Sequence, residues 1–372
     1  MSFQGIIHSC QALNILRLGI VLEKSVLLSF DSIKPIKMKF NHLLLLTLLS
    51  LVYACSTDFD LEAEWKDIPV VYSFISTQDT AHYVRVQKAF LEPGGDANQI
   101  ATISDSIYYQ NITVSLENVE TGQSYVMEKV DGALEGYPKD DGFFANEPNV
   151  LYKLKADVIN LQGGDEVRLV LNRGDDLPEV TAETRVIGKI DTVINRPPNL
   201  ITSLLYTQSI FFDWKPDPLT QIFDIRLECR YQEISLANPS QVENKVATVI
   251  VDRNFLNEGN EPRLGTAITG ANFYQGIAGQ IEVNPNVYRV FKAMDLYITG
   301  AGDEFYQLIR VAQANTGITS SQSVPTYTNL SEGLGIFSSK YQLVKRNIRL
   351  DNVALDTLIG GIYTKQLDFR KN

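Results

Sequence analysis

Runs of β-branched and aromatic residues at regular spacing, turn-forming Gly, Asn and Pro between them, and only two stretches of helical periodicity predict a mainly β chain. The expected architecture is an immunoglobulin- or fibronectin-like β-sandwich over residues 68–194. A second β-rich domain with one or two short helices follows over 199–372.

Each expected element has a local reason. Ile68–Ser76 is a β-branched and aromatic run, and His82–Leu91 alternates apolar with polar residues. Ile112–Val119 and Tyr125–Val130 alternate too, joined by Glu120-Thr121-Gly122-Gln123, which has the makings of a hairpin turn. Val150–Ala156, then Glu166–Leu171 behind Gly163-Gly164-Asp165, then Val180–Ile190 complete the first series. Asn195-Arg196-Pro197-Pro198 is the expected boundary, since consecutive prolines neither donate ladder bonds nor continue a helix.

In the second region Phe223, Ile225, Leu227, Cys229 and Tyr231 alternate strictly with Asp224, Arg226, Glu228, Arg230 and Gln232, so one face is core and the other solvent. Val246–Val251 is another strand. Phe305, Leu308, Ile309 and Ala312 recur at helical spacing behind Asp303 and Glu304, which predicts a helix over 302–315. A weaker helix over 271–281 is limited by Gly276 and Gly279. Tyr341–Leu350 and Ile362–Phe369 are expected as closing strands, and no internal repeat is visible.

The N-terminal region carries an address. Lys39, the apolar run Leu43–Val52 and small Ala54 before Cys55 form the three parts of a secretory signal over 38–54. The run is too short to cross a bilayer, which needs roughly 20 apolar residues. Val52-Tyr53-Ala54-Cys55 resembles the bacterial lipobox, with bulky Tyr53 departing from the usual pattern. That resemblance implies cleavage after Ala54 and lipid attachment at Cys55. Residues 1–37 then read as an upstream extension assigned by a start-site choice, with Met38-Lys39 as the expected start.

Removing residues 1–54 takes away five basic and two acidic side chains, leaving 28 against 42 and a net charge of −14. A surface of that sign repels phosphate backbones, so nucleic acid is not an expected partner. Cys55 and Cys229 alone remain, and acylation of Cys55 would leave no thiol to pair with Cys229. Behind Cys55, residues 55–67 place Asp58, Asp60, Glu62 and Glu64 at every second position. This is an acidic, extended tether, and it resembles the surface-export signal behind the acylated cysteine of Bacteroidota lipoproteins.

Three features together resemble a domain-of-unknown-function family of Bacteroidota outer-membrane lipoproteins, often encoded beside TonB-dependent receptors. They are the cysteine with its acidic tether, the run Asp79-Thr80-Ala81-His82-Tyr83-Val84-Arg85-Val86, and Pro325-Thr326-Tyr327-Thr328-Asn329-Leu330 leading into Gly333-Leu334-Gly335-Ile336-Phe337. The resemblance implies an outer-membrane location, on the periplasmic or cell-surface face, and brings no catalytic residues with it.

Groups that could carry chemistry are few. His82 is the one histidine after the signal, so no multi-histidine metal site is expected and none with a cofactor. It stands in phase with Val84 and Val86, as a core-edge or solvent-face residue, and Cys229 has the spacing of a buried, inert thiol. Asp140-Asp141, Asp175-Asp176 and Asp213 with Asp217 read as turn formers rather than a hydrolase pair or calcium site. Tyr108-Tyr109 and Trp214 beside Pro216 are the candidates for a platform that stacks on a glycan or peptide. The expected function is a lipid-anchored, non-enzymatic accessory or ligand-binding partner of an outer-membrane receptor. The alternatives are a structural or adhesive envelope protein and, behind it, a carboxylate-dependent hydrolase.

Overall fold

The computed structural model describes residues 67–89, 102–140, 142, 145, 147–174, 177–192, 200–259, 261–314 and 326–371. Cys55, its signal and the acidic tether lie outside them.

The first lobe is a sandwich. One sheet begins with β1 (Pro69–Ile75), whose alternate residues Val71, Ser73 and Ile75 turn inward. It pairs antiparallel with β2 (Ala81–Lys88). The opposing sheet starts with the hairpin of β3 (Thr113–Asn118) and β4 (Gln123–Val126), where Gly122 adopts the left-handed conformation that the turn needs. The expected strand Tyr125–Val130 is in fact split. Met127 is buried at the break, and the chain crosses there to the first sheet as β5 (Glu128–Asp131). Then come β6 (Val150–Lys155), β7 (Glu166–Asn172) and β8 (Val180–Arg185). The order β1-β2-β6-β5, one end of a nine-stranded sheet that continues into the second lobe, faces β4-β3-β7-β8. Two single helical turns, α1 (Ser104–Ile107) and α2 (Ala156–Ile159), fill corners. The core between the sheets is largely aliphatic: Val71, Ile75, Val84 and Val86 meet Val114, Leu116, Leu169 and Leu171.

The second lobe opens with two-residue strands β9 (Asp191–Thr192) and β10 (Ile201–Thr202), then β11 (Ser209–Lys215). The alternating run predicted around Cys229 is β12 (Ile222–Ser235), paired with β13 (Val242–Leu256). β14 (Leu264–Thr269) joins β11 and β9 in a small sheet. α3 (Gly270–Ala278) follows, with the Thr269 hydroxyl accepting from the Asn272 N–H as its cap. β15 (Val287–Ala301), α4 (Asp303–Ala314), β16 (Leu334–Leu350) and α5 (Asn352–Gly360) complete the chain. The core here adds a group of rings to its aliphatic residues. Trp214 packs edge-on against Phe223 and Phe255 at 5.2 and 5.3 Å.

Two expectations are corrected. Residues 362–369 are not a closing strand; they form a turn, a 3₁₀ turn over Lys365–Leu367 and a single bridge from Phe369 to Arg289. Ahead of them α5 was not expected. Asp351 caps it by accepting from the Ala354 N–H, and Ala354 and Leu358, one turn apart, are its buried face. Nor is the first lobe confined to 68–194. Residues Leu334–Ser339, the start of β16, pair in parallel with Val70–Ile75 of β1, and Leu330 and Phe337 are buried in the aliphatic core. From Lys340 onward the same strand pairs with β15, so one strand belongs to both lobes.

Candidate functional site

The predicted site residues Ala54, Cys55, Asp58, Asp60, Glu62 and Glu64 lie outside the described residues. What the structure does describe is where the chain enters the fold. The Tyr109 hydroxyl donates to the Asp67 carboxylate, and the buried Arg173 guanidinium donates to the Asp67 carbonyl at 3.2 Å and to Glu332 at 2.8 Å. Burial, reinforced by that carboxylate, pushes the Tyr109 phenol well above its ordinary pKa.

The groups that could carry covalent chemistry are withdrawn from solvent. His82 is 1% exposed, on the inner face of β2, so it is a core residue rather than one at a core edge or in solvent. Its Nδ1 lies 3.6 Å from Asp79 Oδ2, and neither ring nitrogen has a hydrogen-bond partner. Cys229 is buried, and burial pushes its thiol pKa up, away from the reactive thiolate. Asp213 pairs with Arg263, and the Asp217 carboxylate accepts from the Leu219 N–H at 3.0 Å as a turn former. Asp141, Asp175 and Asp176 lie outside the described residues. Among the described residues no three His, Cys, Asp or Glu side chains converge as a metal site.

The aromatic candidates are core as well. Trp214, Tyr108 and Tyr109, the candidates for a stacking platform, are all buried, as most aromatic residues of a sandwich are expected to be. Trp214 alternates inward with Phe212 on β11, while the exposed ring on that strand is Phe211. Sequence alone cannot choose between those phases when Phe211, Phe212 and Trp214 lie so close together.

A cleft of about 340 Å³ runs beside β5, lined by Tyr108, Gln110, Lys129, Val130, Asp131, Pro148 and Val150. Its Tyr108 wall is held from behind by Lys139, whose ammonium donates to the phenol oxygen at 2.8 Å and to the Ala145 carbonyl at 2.9 Å. The loop carrying Pro148 is fixed by Asn149, which donates to the Tyr137 carbonyl at 2.6 Å and accepts from Arg85 at 2.9 Å. The lining offers an amide, an ammonium and a carboxylate among apolar walls. That set can hydrogen-bond a polar ligand, and sequence reading missed it because it is assembled from three separate segments.

In the second lobe several charges pair with one another. On the outer face of β12, Arg226 pairs with Glu228 at 3.2 Å and lies over Tyr297 at 4.6 Å, while Arg230 and Arg346 share Asp295 at 3.1 and 3.6 Å. No helix among the described residues is long and apolar enough to cross a membrane.

No protein-family model matches the sequence, and no curated protein is similar to it. Among solved structures, the chain is similar to the FN1–FN3 domains of chicken CNTN1, at 11% identity over 75% of this chain and 67% of that one, with a TM-score of 0.23. A superposition that loose carries no argument, and the fold assignment rests on the strand pairing described above. The chain is a mainly β protein whose first lobe packs two sheets face to face.

Proposed function

We propose that this chain is an outer-membrane lipoprotein, held by acyl groups on Cys55, that acts without catalysis as an accessory or ligand-binding partner of a membrane receptor. The observation that carries the reading is the lipobox-like Val52-Tyr53-Ala54-Cys55 standing 14 residues ahead of Pro69, where the first strand begins. A chain of that length reaches at most about 50 Å, enough to hold the sandwich just clear of a bilayer surface. Multiple acyl chains would make the attachment firm, because each buried methylene contributes about 0.8 kcal/mol. The cleft beside β5 is at the small end of ligand pockets, and its mixed lining suits a short glycan or peptide segment. Burial of His82 and Cys229 supports binding rather than catalysis. The second reading, a structural or adhesive envelope protein, is favoured by the sandwich architecture itself.

Two measurements test the proposal. Cys55→Ser should move the protein from the membrane fraction to the soluble fraction, and unchanged membrane retention would contradict the anchor. Co-purification from solubilised outer membranes should recover a receptor subunit. Recovery of the chain alone, under conditions that keep other receptor complexes intact, would leave the structural or adhesive reading in its place.

A further inference from the structure

We infer that the shared strand is a tension-bearing joint: β1 and β16 form a parallel lap joint that passes load entering at Asp67 into the second lobe in shear. The inference rests on the anchored reading only in that a lipid tether supplies the load; the geometry is independent of it.

β1 is not an edge strand. It lies between β16 and β2, with Val70–Ile75 paired in parallel to Leu334–Ser339 and Pro69–Tyr72 paired antiparallel to Lys88–Arg85. A pull on Asp67, against resistance from the far end of the second lobe, draws β1 along its own axis. Every ladder bond is then stretched together, whereas peeling would break them one at a time. β16 receives that load and continues without interruption, since β1 pairing ends at Ser339 and β15 pairing begins at Lys340. No loop intervenes.

The joint is also built to close tightly. Gly333 and Gly335 have φ of 112° and 103°, a region that side chains disfavour, and a Cβ on them would overlap the carbonyl oxygens of Pro69 and Val71. Arg173 ties together the residues that precede the two strands, Asp67 and Glu332. Asn329 accepts from the Phe337 N–H at 3.0 Å and donates to its carbonyl at 2.7 Å, so that the returning chain is stapled to β16 before Leu330 enters the core. The run of residues from Asn329 to Phe337, notable in the sequence but absorbed by no binding chemistry, is thereby given a purpose.

Single-molecule force spectroscopy on the full chain tests this. One version carries handles at Thr57 and at Ser240, in the turn between β12 and β13, and loads the joint in shear. The other carries handles at Thr57 and at Ala89, and peels β1 from β2. Shear should need at least twice the peeling force at the same pulling speed. Equal forces would overturn the inference. Gly335→Ala should lower the shear force; if that variant does not fold, Arg173→Met should lower the shear force, and no change in shear force would count against the joint. Since no acyl group is involved, a weak joint in a protein whose Cys55 is shown to be acylated sinks this inference alone.

Discussion

The two lobes solve the same burial problem differently. The first closes two sheets over an aliphatic core and completes it with Leu330, Phe337 and the start of β16, residues more than 130 positions beyond Arg185, the end of its last local strand. The second covers one long sheet with a small sheet and two helices. Its core is rich in rings, and everything it needs lies between Ile190 and Phe369. The first lobe therefore depends on chain supplied from within the second. Forming such long-range pairings requires closing a long loop before any contact repays it.

The largest expected effect follows directly. A chain ending at residue 198 loses one of the two strands paired with β1 and two core side chains, and it should show no cooperative thermal transition by circular dichroism. A sharp, reversible melt of that fragment would break the comparison and make the first lobe an independent domain.

Next come the cores themselves. Trp214→Ala should cost about 3–5 kcal/mol and Leu330→Ala about 2–5 kcal/mol, read from the shift of the urea midpoint at constant slope. Arg289→Ala belongs in the same range, about 3–5 kcal/mol, because the buried guanidinium pairs with Glu233 at 2.7 Å and donates to the Leu367 carbonyl at 2.7 Å. By contrast Phe211→Ser, three positions from Trp214 and 58% exposed, should change stability by no more than about 0.5 kcal/mol. A large loss there would show that the outer face of the small sheet is covered.

The smallest expected effect concerns Glu304, in the first turn of α4 and hydrogen-bonded to the Ser338 hydroxyl at 2.8 Å beside the junction. Burial raises its pKa in the folded chain, so its charged form is disfavoured there. The folded state is therefore penalised above the unfolded pKa of glutamate and unpenalised below it. Glu304→Gln, which can still accept from Ser338, should melt slightly higher than the parent at pH 7, with the difference closing as pH falls to about 4. An equal difference at both pH values would assign the effect to packing instead.

Much of this was legible in the sequence. Strict alternation placed β12, and the turn residues placed the β3–β4 hairpin. Helical spacing behind Asp303 and Glu304 placed α4 to within a residue. What escaped has a common cause: it depends on partners remote in sequence. A period of two does not say that Leu334–Ser339 serves one sheet and Lys340 onward another. Nor does it say that Met127 is where a strand changes sheets, or that Trp214 rather than Phe211 points inward. The cleft beside β5 was invisible for the same reason, since Tyr108, Lys129 and Pro148 meet only after folding. α5 was hidden because its two buried residues, Ala354 and Leu358, are too few to show a period.

The central claim is that one strand makes the two lobes a single folding unit. Native-state hydrogen exchange read by mass spectrometry tests it most directly. Amides of Val70–Ile75 should exchange with the same opening free energy as those of Met294–Ala301, and both should rise and fall together as urea is added. Exchange of the first segment through a separate, lower-energy opening, with the second still fully protected, would contradict the account.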